Sequence, residues 1–375
     1  MSWGCPENMV EQMGVTLLTP LTWPYRLMLN LHKHAHKVAR KENLLPGGKL
    51  SKPVISIGNL TVGGTGKTPI IVDLTAKLLA HNIKVGILSR GYKRANSSAC
   101  IIVSDGKGNF ASLEEAGDEP LMMAKMLPQA VVIVNKDRYL AGRIAIRGYD
   151  CEVLLLDDGF QHWRLERDCD IVLLDYECPP WSDSLLPVGR LREPLSALKR
   201  AQHVIITKIP HSYDQEKIDR FREIIGHYAP QCTISMCRFE PSSVQQQIAG
   251  KWTEVSLDKL KGLPVVAFCG IAQPQGFMDM LLQLGVKVKE AINYGDHHRY
   301  SERDIAGLED LRNSKKAEYL ITTRKDLIKI ENSPDSARVL ALNISTSWIG
   351  EPLDILSLIK SAPMPMTSYE SIVGP

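Results

Sequence analysis

The chain has 375 residues, enough for two separately cored domains, and 44% of them are hydrophobic, as in an ordinary globular protein. Its net charge of +3 is too mild to imply nucleic acid, so no such partner is expected. Its 8 cysteines are scattered, Cys232 and Cys237 being the closest pair, which suits reduced buried thiols rather than a zinc site or a disulfide framework.

The first residues do not fit a signal peptide, because Glu7 and Glu11 precede any basic residue. No apolar run reaches the roughly 18–20 residues that a spanning helix needs. Residues 15–40 nevertheless mix Leu17, Leu18, Leu21, Trp23, Tyr25, Leu27, Met28, Leu29 and Leu31 with Arg26, Lys33, Lys37 and Arg40. Pro20 and Pro24 place the start of any long helix near Pro24. Such a helix suits an anionic lipid surface and equally suits packing on its own domain.

A strand-like run, Val54-Ile55-Ser56-Ile57, leads into Gly63-Gly64-Thr65-Gly66-Lys67-Thr68. Glycines let consecutive N–H groups point into one hollow, Lys67 adds a cation for outer phosphates, and the Thr68 hydroxyl can reach Mg²⁺. Pro69 then opens a helix with Ile70, Ile71, Leu74, Leu78 and Leu79 on one face. Strand, glycine loop and helix N-terminus make a nucleoside triphosphate site. One departure stands out: Thr61 occupies the place where the usual loop begins with glycine.

A second strand at 84–89 would complete a right-handed parallel unit. A polar stretch at 96–109 follows, then a helix at 119–127, a strand at 130–134 and a basic helix at 136–147. Continuous apolar runs at 151–156, 170–174 and 203–209 read as strands covered on both faces, hence a mostly parallel sheet. Residues 214–228 read as a helix, and 231–260, with Pro241 and a Gln run, as a β linker. A second α/β unit starts at Pro264, and the tail beyond 361 reads as loose.

Asp157 and Asp158 end a buried strand beside the phosphate loop, where an acid can hold Mg²⁺. Asp175 ends an equally apolar run, but the Gly159–His162 surroundings favour the first pair. Asp118, in Gly-Asp-Glu-Pro, is a polar group open to chemistry or only a helix N-cap, where Asp is favoured. Gly189-Arg190-Leu191-Arg192-Glu193 offers guanidiniums for phosphate and a carboxylate for metal, or is a solvated loop. His297, beside Asp296 and His298, reads as a carboxylate-oriented base or as an exposed histidine. Asn135-Lys136-Asp137 lacks the spacing of a guanine reader, which leaves a P-loop ATPase or GTPase switch as the alternative function.

Taken jointly, SIGNLTVGGTGKTP, ILSRGYKR, AGDEPLMMAK, LLLDDGFQHWRLERDCDIVLLD, LPVGRLREP, VVAFCGIAQPQGF, YGDHHRYSERDI and TTRKD resemble the tetraacyldisaccharide 4′-kinases of lipid A biosynthesis, in order and spacing. The resemblance implies an α/β fold: a P-loop NTPase-like parallel-sheet domain with a second, smaller α/β domain joined by a β linker. It implies an N-terminal membrane-associated segment at 1–50, a kinase domain at 51–230, the linker at 231–262, the smaller domain at 263–360 and a tail at 361–375. It implies transfer of the ATP γ-phosphate to an acylated glucosamine disaccharide, by a peripheral enzyme on the cytoplasmic face of the bacterial inner membrane.

By motif, Gly63 to Thr68 with Arg138, Gln161 and Arg192 would bind ATP. Thr68, Asp157, Asp158 and Glu193 would hold Mg²⁺. Asp118 would be the base, paired with His297 from the smaller domain. GIAQPQGF and TTRKD depart from the forms expected in the family, where the second more usually reads Thr-Glu-Lys-Asp.

Overall fold

The computed structural model describes residues 22–41, 48–91, 94, 99–248, 251–330 and 338–361. The expectations for Leu17, Leu18, Leu21, Tyr92 and the tail lie outside the described residues, as do the side chains of Lys33, Lys37 and Arg40. In chain order the helices are α1 (Thr22–Lys41), α2 (Lys67–Ala80), α3 (Leu113–Ala116), α4 (Asp118–Met126), α5 (Arg138–Tyr149), α6 (Gln215–Tyr228), α7 (Pro274–Gln283), α8 (Glu302–Ser314), α9 (Arg324–Ile330) and α10 (Ile355–Ser361). The strands are β1 (Val54–Asn59), β2 (Val85–Ser89), β3 (Ile101–Asp105), β4 (Val131–Val134), β5 (Val153–Asp157), β6 (Cys169–Asp175), β7 (His203–Thr207), β8 (Thr233–Ile248), β9 (Lys251–Val255), β10 (Pro264–Cys269), β11 (Lys287–Asn293), β12 (Tyr319–Thr323) and β13 (Val339–Ile349).

All the strands among the described residues join one 13-stranded sheet in the order β11-β10-β12-β13-β8-β7-β6-β1-β5-β2-β4-β3, with β9 beside β8. Among the described residues only β3–β4, β8–β9 and β8–β13 pair antiparallel. β1, β5, β6 and β7 are buried at every position. That is why they read as largely apolar runs without alternation: both faces are covered, and each large aliphatic side chain there contributes roughly 1.5–3 kcal/mol on burial. β1 lies at the centre of its half, so the loop at its carboxyl end faces the ends of β5 and β6.

Two segments differ from the sequence reading. The stretch at 96–109 contains β3, an edge strand whose Ile101 and Ile102 are only partly buried, too exposed to stand out against its polar flanks. The region at 231–260 is dominated by β8, a single 16-residue strand that pairs parallel with β7 and antiparallel with β13. Pro241 is tolerated because the β8–β13 register shifts immediately after it, at a bulge. β7 stops at Thr207 because Lys208 turns into the left-handed region (φ 59) and Pro210 follows. Pro69 is the third helical residue of α2, still within the first turn, where its missing N–H leaves no bond unmade.

α1 is long but amphipathic, and among the described residues no helix is long and apolar enough to cross a membrane. It touches the body through Tyr25, whose hydroxyl donates to the Arg192 carbonyl at 3.0 Å. Trp23 (73%), Leu27 (61%), Met28 (56%) and Leu31 (61%) remain exposed.

Candidate active site

The phosphate loop takes its left-handed turns at Gly63 (φ 112) and Gly66 (φ 85), positions that side chains resist. Thr61 needs no such freedom. It forms a bridge with Leu191, flanked by Val62 N–H to Arg190 O at 2.8 Å and Arg192 N–H to Leu60 O at 2.7 Å. The departure at Thr61 therefore has a physical reason: the first residue of the loop works as a short strand that pins the Arg192 segment beside the phosphate hollow. On the other flank the Phe239 ring packs against Gly66, and the Thr207 hydroxyl donates to Thr65 O at 2.9 Å.

Four side chains gather at the carboxyl ends of β1 and β5. Lys67 Nζ stands 3.4 Å from Asp158 Oδ1 and 3.4 Å from Asn59 Oδ1, while Arg192 Nη1 donates to Asp158 Oδ2 at 2.7 Å. Burial pushes the Asp158 carboxyl up, but Lys67 and Arg192 outweigh it and hold the group well below the usual carboxylate range. Asp157 behaves oppositely. Burial, then the negative charges of Glu119 and Asp158, raise it to about 6 against the pull of Lys67 and a 2.8 Å hydrogen bond from Ser89. Two adjacent acids with divergent affinities for a proton are the signature of a built site. Arg138 is buried near both acids, and burial lowers its pKa.

The remaining expected residues divide. Gln161 donates to Asn59 O at 3.0 Å and to Glu193 Oε1 at 3.2 Å, which sets it under the loop. Glu193 departs from the expected metal role. It is fully buried, and Arg200 grips both its oxygens at 2.8 and 3.1 Å, so it braces the Arg192 segment. Arg190 likewise does not reach the site, since it is buried in an ion pair with Asp183 at 2.5 Å. In DDGFQHWRLERD only the front half enters the site. Arg167 and Asp170 clamp each other at 3.0 Å, and Asp170 also accepts from Ser56 at 2.6 Å, which locks the loop to β1. Asp137 caps α5 through Tyr139 N–H at 3.1 Å, and Asp175 accepts from Glu177 N–H at 3.0 Å and pairs with Lys208 at 2.7 Å.

Asp118 is the first residue of α4, and its N-cap is Gly117 rather than itself. Its carboxylate Oδ2 lies 2.7 Å from His297 Nδ1, reaching across from the other half of the sheet. Burial raises the Asp118 pKa, but the hydrogen bond from His297 and the cations Lys325 and Lys329 bring it down to about 2. His297 is held in a left-handed turn (φ 62) by its N–H to Gly270 O at 3.2 Å, and Gly270 N–H donates to buried Asp326 at 2.9 Å. The two pieces that depart from expectation, GIAQPQGF and TTRKD, thus supply the anchors of His297. Asn59, Ser89, Glu119, Lys325 and Lys329 were not singled out from the sequence. A polar residue ending a strand that leads into the phosphate loop was the one available signal, at Asn59.

Oxygen donors at Thr68, Asp157 and Asp158 suit a hard, partly hydrated magnesium ion sharing phosphate oxygens. Gln161 Oε1 and Asn59 Nδ2 are buried and make no hydrogen bond, which leaves an acceptor and a donor for such a shell, while Asp158 Oδ1 has the Lys67 ammonium at 3.4 Å.

A family model described as LpxK, tetraacyldisaccharide-1-P 4′-kinase, matches residues 15–361. A tetraacyldisaccharide 4′-kinase of Halothermothrix orenii is 34% identical over 367 residues, covering 95% of this chain and 93% of that protein. One of Aquifex aeolicus is 37% identical, covering 87% of this chain and 92% of its own. A crystal structure of LpxK from Aquifex aeolicus in complex with ATP superposes with a TM-score of 0.71 at 35% identity, over 92% of this chain and 97% of that one.

Proposed function

We propose, because this chain belongs to the tetraacyldisaccharide-1-P 4′-kinase family, that it transfers the γ-phosphate of ATP to the 4′-hydroxyl of a tetraacylated glucosamine disaccharide 1-phosphate, a step of lipid A biosynthesis. The observation that carries the reading is the 2.7 Å Asp118–His297 pair beside a phosphate loop. A nucleotide switch acting on water has no need of a carboxylate–imidazole pair assembled from two halves of a sheet, whereas a sugar hydroxyl needs a proton acceptor.

The 4′ oxygen forms a bond to the γ-phosphorus as the bond from phosphorus to the β–γ bridging oxygen breaks, and ADP leaves. The hydroxyl proton passes to Asp118. Because proton loss lags a loose transition state, a carboxylate held near 2 is basic enough. Lys67 and Arg192, now on Asp158, would turn to phosphate oxygens, and Arg138 would offset the charge gathering near Asp157 and Asp158. Magnesium, held by Thr68, Asp157 and Asp158, would neutralise charge on the β- and γ-phosphates.

We place the acceptor between the units at 51–230 and 263–360, with 231–262 joining them. α1 would lie on the cytoplasmic surface of an inner membrane. Its exposed Trp23, Leu27 and Leu31 support this, as does its attachment at Arg192, which sets an apolar face next to the phosphate hollow where acyl chains must arrive. Labelled ATP with detergent-dispersed disaccharide tests the function. A phosphorylated lipid is expected, and ATP consumption indifferent to the disaccharide would sink the assignment.

A further inference from the structure

His297 offers one ring nitrogen to Asp118 and the other to a lysine. Nδ1 is 2.7 Å from Asp118 Oδ2, and Nε2 is 3.4 Å from Lys325 Nζ. An ammonium can only donate and a carboxylate can only accept, so the ring proton belongs on Nδ1, aimed at Asp118. One group opposes this order: Asp296 Oδ2 lies 3.6 Å from Nε2 and would favour a proton there. It is outweighed. Asp296 is 40% exposed and its other oxygen is already 3.2 Å from Lys325, which is itself only 17% exposed.

Lys325 is built into place. Glu119 Oε1 holds it at 3.2 Å from α4, Asp296 at 3.2 Å from the loop before α8, and burial of its stem fixes the head. Burial pulls its pKa down, but Glu119, Asp296 and Asp118 together hold it above the usual lysine value, so the donor stays charged. The next residue, Asp326, is fully buried and receives Gly270 N–H, the Thr323 hydroxyl at 2.8 Å and Lys329 at 2.9 Å. Lys329 also stands 3.9 Å from Asp118 Oδ2. Among the described residues, Asp296 and Lys325 approach His297, Lys329 approaches Asp118, and Glu119 on α4 acts through Lys325.

We propose that Lys325 is a positioning residue: it fixes His297 as the Nδ1–H tautomer and so keeps the Asp118 carboxylate as the acceptor for the sugar proton. The catalytic consequence rests on the kinase reading, while the tautomer does not.

The test uses the full chain labelled with ¹⁵N-histidine in detergent, the His297 signals being assigned by difference against His297→Gln. Long-range ¹H–¹⁵N spectra of the substrate-free wild type should show a protonated Nδ1 and a bare Nε2. Lys325→Met should lose that pattern, and Lys325→Arg should keep it. In turnover, Lys325→Met should lower kcat by at least about tenfold with KM for ATP within about twofold. The acid limb of its pH profile should rise, since the lost cation had held Asp118 down, and Lys325→Arg should restore most of the rate. A wild-type spectrum with the proton on Nε2 overturns the proposal without any variant. So does a Lys325→Met protein with the wild-type tautomer, or one whose only defect is KM for the disaccharide. Failure of the wild type to phosphorylate any acylated disaccharide, with the Nδ1–H tautomer present, overturns the kinase reading and not this one.

Discussion

Alanine at Asp118, at His297 and at both separates a catalytic unit from two independent groups. The imidazole is 2.7 Å from the carboxylate, well inside hydrogen-bond reach. Holding the carboxyl at about 2 corresponds to about 2 kcal/mol in favour of the ionised form, net of the burial that opposes it. A charge-assisted bond contributes roughly 1.5–3 kcal/mol, so His297 and the two lysines together supply that figure and offset the burial penalty as well. Because His297 orients the carboxylate that accepts the proton, its removal should lower kcat on the order of a hundredfold, about 2.7 kcal/mol at about 1.4 kcal/mol per tenfold, and removal of Asp118 at least as far. The assay is steady-state phosphorylation of the disaccharide at saturating ATP, with KM for ATP expected to stay within about threefold. Acting as a unit, the pair predicts a double variant no more than about tenfold below the poorer single. Independent roles predict losses that multiply to about ten-thousandfold. A double variant at that product refutes the dyad and leaves the phosphate loop untouched.

Lys67→Ala should abolish turnover with unchanged far-UV circular dichroism, because a cation of the phosphate hollow is lost; more than about a tenth of wild-type kcat would contradict the site. Gly66→Ala should cost about 1–2 kcal/mol of stability from its φ of 85 alone, more from contact with the Phe239 ring, and weaken ATP binding; full relief in Gly66→Ala/Phe239→Ala would contradict the backbone argument. Asp157 has a raised pKa of about 6, so its folded form binds protons more tightly than its unfolded form, and stability falls as pH rises from the usual carboxylate range through 6. Asp157→Asn should therefore raise Tm at pH 8, by up to about 3 kcal/mol in free energy, lose that gain near pH 4, and be inactive; an equal effect at both pH values would refute the linkage. Polar replacement of Trp23, Leu27 and Leu31, all exposed, should free the protein from anionic liposomes without lowering Tm; equal pelleting would refute the lipid-facing role of α1.

Local spacing carried a good deal of this molecule. The runs that became β1, β5, β6 and β7 were readable because a strand buried on both faces carries apolar residues on both, so its middle shows no polar alternation. The phosphate loop was readable because its chemistry lies within a few consecutive residues, and α1 because its apolar groups recur at helical period. β3 escaped because an edge strand shows little periodic contrast, and β8 was readable as β structure but not as one continuous strand, because a bulge at Pro241 breaks its pattern. What only the tertiary structure decided is which groups meet. Asp118 and His297 are 179 residues apart, and no local pattern encodes their contact. Arg190 and Arg192 stand two residues apart in one loop, yet one is sealed against Asp183 and the other reaches Asp158, a difference set by the Thr61–Leu191 bridge. Glu193 and Asp158 are both acids beside the phosphate loop, but Arg200 closes over the first while Lys67 and Arg192 hold the second at the hollow. A side chain's type sets what chemistry it can do; its role follows from the partners and the burial that strand order brings to it.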